Sequence, residues 1–311
     1  MSEFKRWKNI KKSTWALSVF KYHNRELWKM YMSFEITQKF AYAQFKGKPK
    51  STWDEAANSY FKFEKPLIPK ITPFYIEMVT VKNWSDGLNE FRNWTNLNVL
   101  LSMAANLETY IAKVTRLALL SDLGVLFGYE NHIDGVHLLK YANGKREIDK
   151  LIETYVINFT KGDWNSRLNN LYSIFSKLDK LLLDENISNL EKIRKIRNDI
   201  AHSFGRDIEK SQKNLKPERL PITNLNRNNL ILFSSYIWKT AKHIDTILME
   251  NIGNYEAINA YHEIYSQMNL RQRSAHKNIR AKEFKKHYGH LGASPLSKEF
   301  CQELVEYYEN L

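Results

Sequence analysis

One pair of residues in this sequence has both the types and the setting for chemistry on an anionic group. Arg197 and His202 have four residues between them, and Asn198 follows the arginine directly. A guanidinium binds anions through a planar set of donors, and an imidazole exchanges protons near neutral pH. An amide one helical turn from the imidazole can orient the ring or hold a substrate group. These three residues are the predicted catalytic set.

Spacing alone does not single out this pair. Arg271 and His276 have the same separation, and Arg280 to His287 is a looser version of it. Residues 270–276 lack the periodic apolar residues that a packed helix needs. We therefore interpret this second segment as a basic surface.

The surroundings of Arg197 are different, because the sequence predicts a helix over residues 188–204. When this helix is wound at ~100° per residue, Arg197 lies within ~20° of the centre of its apolar side. A charge in such a place is costly unless it is paired or faces a wet cleft. An internal salt bridge to a carboxylate such as Glu108 is the alternative explanation. The apolar residues that define this side are Leu190, Ile193, Ile196, Ile200, Ala201 and Phe204.

His202 points away from that apolar side. Its direction differs from that of Arg197 by ~140°, so one helix does not readily aim both at a single atom. Two copies of the helix packed around a symmetry axis can build one site from both chains. The pair therefore makes more chemical sense in a homodimer.

Long periodic stretches and sparse turn residues predict an all-α protein. Only 11 Gly and 7 Pro occur in 311 residues, whereas sheet-rich folds need frequent turns. Asp163 is placed to cap one helix, and Ser188 with Glu191 has the spacing of a capping box. We expect an antiparallel helical bundle. The predicted helices cover 13–45, 52–63, 96–121, 145–159, 164–183, 188–204, 227–250, 254–268, 279–288 and 297–309.

The sequence predicts three consecutive regions with an uneven charge. An aromatic, basic helical region covers 1–92, a helical bundle 93–252 and a basic helical extension 253–311. Residues 1–70 carry 15 Lys and Arg against 6 Asp and Glu, and residues 270–290 carry 7 against 1. Two basic ends around a near-neutral middle suit a polyanionic partner, although ordinary solvated faces would carry such charges too. The predicted phosphate-contacting residues are Arg206, Arg271, Arg273, Lys277 and Arg280, with a structural salt bridge as the other role for Arg206.

Several classes of function are not favoured. Cys301 is the only cysteine, so the chain can form no internal disulfide or cysteine-cluster metal site, as in a reducing cytoplasm. We expect no leader peptide and no membrane span. His132 and His137 share a loop with acidic residues, but their spacing matches no standard metal site. We therefore predict a cytoplasmic protein that needs no metal or other cofactor.

The sequence resembles the HEPN superfamily, whose hallmark is an arginine, a polar residue and a histidine four to six residues after the arginine. Arg197, Asn198 and His202 fill these places. The flanking residues 190–196 and 203–207, with 164–167 upstream, are similar to the bacterial subgroup named RiboL-PSP-HEPN. The helix around residues 107–110 resembles the first bundle helix of that family. The resemblance covers about residues 96–250.

This resemblance implies a bundle of four or five helices that dimerises through the helix with Arg197 and His202. Active members cleave RNA without a metal ion, and many are toxins of toxin–antitoxin pairs or anti-phage effectors. The expected partners are RNA, a second copy of the chain and an antitoxin or other regulatory protein. Two alternatives stay open: a non-catalytic nucleic-acid-binding or adaptor protein, and a helical scaffold in which Arg197 is only a buried ion-pair member.

Overall fold

The structure is a computed structural model. It describes residues 4–10, 12–47, 52–61, 79–141, 145–175, 180–213, 215, 218–291 and 295–311. Within these ranges the chain forms helices and no β-strand, with isolated bridges at Ala56–Thr80 and Asp122–Asp134. The predicted all-α class is confirmed. Among the described helices, none is long and apolar enough to cross a lipid bilayer.

The described helices follow one another along the whole chain. A short 3₁₀ helix over Leu123–Phe127 separates the third α-helix from the fourth. The α-helices are α1 (Trp15–Lys46), α2 (Asn58–Phe61), α3 (Val81–Ser121), α4 (Gly135–Tyr141), α5 (Lys145–Thr160), α6 (Trp164–Ile174), α7 (Lys180–Ser203), α8 (Ile208–Lys213), α9 (Arg227–Ile252), α10 (Tyr255–Gln267), α11 (Leu270–Arg273), α12 (Lys277–Tyr288) and α13 (Lys298–Asn310).

Apolar spacing predicted many of these helices well. The bounds of α1, α5, α9, α10, α12 and α13 lie within two residues of the prediction. Asp163 caps α6 as expected, because its Oδ1 accepts a hydrogen bond from the backbone N–H of Ser166 at 2.9 Å. Most of the apolar residues that recur at every third or fourth position between residues 96 and 121 are buried, and Leu100, Ile111 and Val114 are at 0% exposure.

Two predicted helix starts are wrong. α3 begins at Val81 rather than near 96, because contacts of its first turns override the helix-breaking tendency of Gly87. α7 begins at Lys180 rather than at Ser188, so Ser188 and Glu191 do not form a capping box. The Glu191 carboxylate instead accepts the backbone N–H of Trp164 at 2.6 Å. The predicted helix over 52–63 is reduced to α2, and its last two residues lie outside the described ranges.

The chain folds into two compact units with interleaved segments. The first unit contains residues 1–24, 104–194 and 233–311, and the second contains 25–103 and 195–232. The sequence instead predicts three consecutive regions. The difference arises because α1, α3, α7 and α9 are long, uninterrupted helices, and each continues from one unit into the other.

Arg6 holds together the core of the first unit. Its side chain is 5% exposed, and it donates to the backbone oxygens of Ser121 (3.1 Å) and Ile252 (3.0 Å), where α3 and α9 end. It also pairs with Asp134 at 3.1 Å. A cation at two helix C-termini is favourable because carbonyl dipoles converge there. Burial lowers the pKa of Arg6, opposed by Asp134.

Aromatic contacts join α1 and α3 in the second unit. Phe34 lies 5.2 Å from Phe91, and Tyr42 lies 5.1 Å from Trp84, between ring centroids. The residues after α8 are fixed to α3, because the Asn93 amide exchanges hydrogen bonds with the backbone of residues 223 and 225. This packing places the segment that follows the Arg197–His202 helix.

Candidate active site

The predicted catalytic residues all lie near the C-terminal end of α7. Arg197 and Asn198 are half-buried, and His202 is exposed. The Arg197 Nη1 donates to the Asn198 Oδ1 at 3.0 Å. The structure therefore joins the guanidinium and the amide through a direct hydrogen bond, and leaves the imidazole accessible one turn further along.

The helix does not bring Arg197 and His202 to the same side within one chain. Five residues of α-helix separate their directions by ~140°. Asn198 lies one turn before His202, on the side between the two. A single chain therefore presents the Arg197–Asn198 pair and the exposed imidazole in different directions.

The apolar side of α7 changes character along the helix. Leu190 and Ile193 are buried at 0% and 3% exposure, as the sequence predicts. Ile200 is only half-buried, Ala201 is exposed, and Phe204 is 55% exposed. Apolar groups left in water at this density are a common mark of an interface. The prediction of a continuous core-facing stripe is therefore wrong for its C-terminal half.

A left-handed turn ends α7 directly after His202. Phe204 has φ 55° and Gly205 has φ 78°, a conformation that costs little only for glycine. The Gly205 N–H donates to the Asp199 carbonyl at 2.9 Å, and its carbonyl accepts from Thr223 N at 2.7 Å. A Cβ at Gly205 would lie 3.0 Å from the Ile222 Cγ2 atom. The sequence correctly predicts that the helix ends near this glycine.

Asp199 holds the turn that follows the candidate residues. Its side chain is 7% exposed and accepts a long hydrogen bond from the Ile208 N–H at 3.5 Å, at the start of α8. Burial raises the pKa of the Asp199 carboxyl, and Asp207 adds to this shift. The sequence assigned no role to Asp199, which lies ~60° from His202 and ~160° from Arg197 on the helix, opposite the predicted apolar side. Its burial could not be predicted from that position.

Arg206 supports the same turn. Its Nε donates to the Leu220 carbonyl at 3.0 Å, and its guanidinium carbon lies 5.4 Å from the centre of the Phe204 ring. The predicted roles were a phosphate contact or a structural salt bridge. This geometry favours a structural role, through a backbone carbonyl rather than a carboxylate.

Glu108, the alternative partner considered for Arg197, binds Arg167 in the first unit. The Arg167 Nη1 and Nη2 lie 3.2 Å and 3.1 Å from Glu108 Oε1, and its Nε donates to the Gly162 carbonyl at 3.1 Å. Arg167 is 4% exposed, and burial lowers its pKa while Glu108 opposes the shift. The segment 164–167, which contributes to the family resemblance, therefore includes a buried arginine with a scaffold role.

Arg280 was predicted to contact RNA, but the structure places it as a buried residue that holds other parts of the chain together. It is 8% exposed, its Nε donates to Glu309 Oε1 at 2.7 Å, and its Nη1 donates to the Arg273 carbonyl at 2.8 Å. The hydrogen bond that Arg280 donates to Glu309 raises the pKa of Arg280. The carboxylate at 309 lies on α13, 29 residues away, so local sequence gave no sign of this pair.

The other predicted cations of this segment are more accessible. Arg271 and Arg273 are exposed, although Arg273 also donates to the carbonyls of Tyr265 (3.2 Å) and Ser266 (3.0 Å). Lys277 is half-exposed and pairs with Glu306 at 2.7 Å. The sequence set of RNA contacts missed three exposed lysines on α12, which extend the basic surface: Lys282, Lys285 and Lys286.

No group of three or more His, Cys, Asp or Glu side chains that could hold a metal ion occurs among the described residues. In the loop that contains His132 and His137, the His132 Nδ1 lies 2.8 Å from the Glu130 carbonyl. Asp134 in the same loop is engaged by Arg6.

The arrangement at α7 combines a hydrogen-bonded Arg–Asn pair, an exposed imidazole and an uncovered apolar surface. Comparison of this chain with protein-family models, with curated proteins and with solved structures finds no match.

Proposed function

We propose that this protein is a metal-independent endoribonuclease with its active site at the C-terminal end of α7. The observation that carries the proposal is the Arg197–Asn198 hydrogen bond beside the exposed His202, on a helix end whose apolar side is uncovered. The resemblance to HEPN proteins points to the same residues. RNA suits this set because its own 2′-hydroxyl is the nucleophile, so no metal-bound water is required.

Each residue has a distinct role in this proposal. Arg197 binds the scissile phosphate and stabilises the charge that develops on its non-bridging oxygens. Its hydrogen bond to the Asn198 oxygen fixes the plane of the guanidinium and leaves the amide NH₂ of Asn198 to orient the phosphate or the imidazole. His202 transfers protons, as an imidazole can at physiological pH.

The reaction is an internal transesterification. His202 takes the proton of the 2′-hydroxyl, and the oxygen attacks the adjacent phosphorus. The bond from phosphorus to the 5′-oxygen breaks, and an imidazolium returns a proton to that oxygen. The products are one RNA end with a 2′,3′-cyclic phosphate and one with a 5′-hydroxyl. Atoms and electrons balance without an oxidant or a second substrate.

A homodimer completes the proposed site. Arg197 and His202 diverge by ~140° on one helix, so a second copy of α7 supplies the missing partner. The exposed Ala201 and Phe204 and the half-buried Ile200 would be covered by that copy. Burying them offsets part of the cost of bringing two arginines together.

The biological role we propose is that of a toxin or anti-phage effector in the cytoplasm, with an antitoxin or other regulatory protein as its partner. The resemblance supports this role, because many active HEPN proteins act in this way. The single buried thiol of Cys301 fits a reducing compartment.

The test is incubation of the full chain with RNA in EDTA, with the 3′ ends of the products identified. We expect cleavage that leaves 2′,3′-cyclic phosphates and is lost in Arg197→Ala and His202→Ala. Arg116→Ala is the matched control for the arginine, since Arg116 is also partly exposed but pairs with Glu153 in the first unit. Absence of cleavage by the wild type, or equal cleavage by the variants, would refute the proposal.

Mixing the two inactive variants tests the dimer. A heterodimer of Arg197→Ala and His202→Ala chains contains one site with both residues intact, if each site takes them from different chains. Because about half of randomly mixed dimers are heterodimers, roughly a quarter of wild-type activity should return. No recovery, despite light-scattering evidence of mixed dimers, would contradict the composite site.

A non-catalytic nucleic-acid-binding protein is the second candidate. The exposed cations of α11 and α12 favour it, because contacts to phosphate need no catalytic residue. Salt-sensitive RNA binding that survives His202→Ala, with no cleavage by the wild type, would support this function instead.

A further inference from the structure

The second unit carries an exposed apolar ridge on α1 that has no role in the proposed nuclease. Met32, Ile36 and Phe40 are 43%, 63% and 65% exposed. Residues four apart on a helix are neighbours on its surface, so these side chains form one continuous line. Three large apolar side chains aligned in water are unfavourable and point to a surface that is covered by something else.

The ridge lies on the opposite side of α1 from the core of the second unit. Tyr31, ~180° from Phe40 on the helix, is 1% exposed. Phe34 and Tyr42 contact the rings of Phe91 and Trp84 on α3. α1 is therefore apolar on two sides, of which α3 covers one.

Small, uncharged side chains border one side of the ridge. These are Ser33 and Thr37, and their hydroxyls donate to the helix's own carbonyls, Ser33 to Lys29 (3.0 Å) and Thr37 to Ser33 (2.9 Å). Both hydroxyl groups thus already donate a hydrogen bond, so a partner could bury these residues without leaving an unsatisfied donor. Small side chains next to a ridge are what close helix–helix packing requires.

Cations continue the ridge at its N-terminal end and border its other side. Arg25, Lys29, Lys39 and Lys46 are exposed on this part of α1, and Glu26 is the exposed carboxylate among residues 25–46. A second copy of α1 laid antiparallel would place Arg25 and Lys29 against Lys39 and Lys46. Such like-charge contacts are costly, so the ridge is ill-suited to pairing with itself.

We propose that the α1 ridge is a docking site for an acidic amphipathic helix of a partner protein. The narrow apolar line matches a helical seam, and the cations at its N-terminal end and along one side match carboxylates that border the partner's seam. A membrane-bound helix would carry a broader apolar face than one ridge bordered by Ser33 and Thr37. RNA would meet the cations but leave the apolar line exposed. This inference does not depend on the nuclease proposal.

Two synthetic helices of about 20 residues test the site with the full-length protein, a length at which such peptides become helical. Both carry the same leucine seam, one flanked by glutamate and the other by lysine. We expect the glutamate peptide to bind and the lysine peptide to bind at least about tenfold more weakly. Binding is measured by fluorescence anisotropy, with anionic vesicles and single-stranded RNA as competitors.

Variants separate the ridge from general attraction to a basic protein. Ile36→Glu/Phe40→Glu should weaken binding of the glutamate peptide at least about tenfold. Ile279→Glu is the matched control, because Ile279 is 61% exposed on the basic helix α12 of the other unit. Lys29→Glu/Lys39→Glu should reverse the preference in favour of the lysine peptide.

Three results would overturn the proposal. These are failure of the glutamate peptide to bind, equal loss in the control variant, and unchanged peptide preference after charge reversal. Vesicles or RNA could also displace the peptide fully from the wild type. If that competitor itself no longer bound Ile36→Glu/Phe40→Glu, the ridge would be reassigned to the competitor. RNA cleavage is measured in parallel and should be unchanged in the ridge variants, so the two proposals fail separately.

Discussion

Residues 197–202 and 271–276 share an arginine and a histidine at the same spacing but differ in structure. Arg197 and His202 lie on one uninterrupted helix, α7. Arg271 lies in the four-residue helix α11, and His276 is the N-cap of α12, where its ring accepts the Asn278 N–H at 3.3 Å. In the second segment the histidine is thus used to start a helix, and the two residues belong to different elements.

This difference shows why the spacing has meaning only within a continuous helix. On α7 the separation fixes the directions of both side chains, and the apolar residues beside the arginine are left uncovered in a single chain. In residues 270–276 a break at Ser274 and Ala275 removes that constraint. The following predictions test this contrast.

The largest expected effect is on catalysis. His202→Ala should reduce RNA cleavage by about 10²–10⁴-fold, the usual contribution of a general acid or base. His276→Ala should leave the rate within about threefold, because it removes only a helix cap. Single-turnover cleavage of a labelled RNA measures both. Equal losses in the two variants would mean that the helical context does not distinguish the two pairs.

The next largest effect is on stability and concerns Arg280 and Arg271. Arg280→Ala should lower the free energy of unfolding by about 3 kcal/mol, because it leaves the partly buried Glu309 carboxylate without its partner. Arg271→Ala should change it by less than about 0.5 kcal/mol, as expected of an exposed residue. Urea denaturation followed by circular dichroism provides the values. A larger loss for Arg271→Ala would contradict the assigned roles.

A smaller effect is expected on RNA affinity. The triple variant Arg271→Ala/Lys285→Ala/Lys286→Ala should bind single-stranded RNA more weakly at low salt. Because the variant loses three phosphate contacts, the slope of the logarithm of the RNA-binding constant against the logarithm of the salt concentration should become shallower by about 2. Replacement of three exposed lysines of α1 (Lys21, Lys29 and Lys39) by alanine is the control for net charge. The same change in slope for both variants would remove the special role of α12.

The smallest effect concerns Asp199. Because burial raises the pKa of this carboxyl, the folded protein holds the proton to a higher pH than the unfolded chain. The contribution of Asp199 to stability therefore falls as pH rises from the ordinary carboxyl range through the raised pKa. Asp199→Asn keeps an oxygen for the Ile208 N–H and should flatten this dependence. Unfolding curves between pH 4 and pH 8 test it, and an unchanged profile would argue against the shift.

The sequence predicted the helices whose apolar residues recur without interruption. The buried side of α3 and the helix α9 could be predicted without tertiary information, because apolar residues at every third or fourth position are typical of a helix with one buried side. The starts of α3 and α7 were missed. For α3, contacts of its first turns with residues 53–55 and with α1 outweigh the local signal. For α7, the Glu191 carboxylate binds the N-terminus of α6, so the spacing of Ser188 and Glu191 did not mark a helix start.

For the candidate site, the sequence showed which residue types share one helix, but it did not show which of the predicted residues are buried or paired. The sequence alone placed Arg197, Asn198 and His202 on one helix, because helical geometry depends only on the order of residues along the chain. Only the tertiary structure decided that Arg280 is buried against Glu309, that Arg206 binds the Leu220 carbonyl and that the end of α7 is uncovered. Such partners are distant in sequence, and burial is a property of the packed whole rather than of any segment.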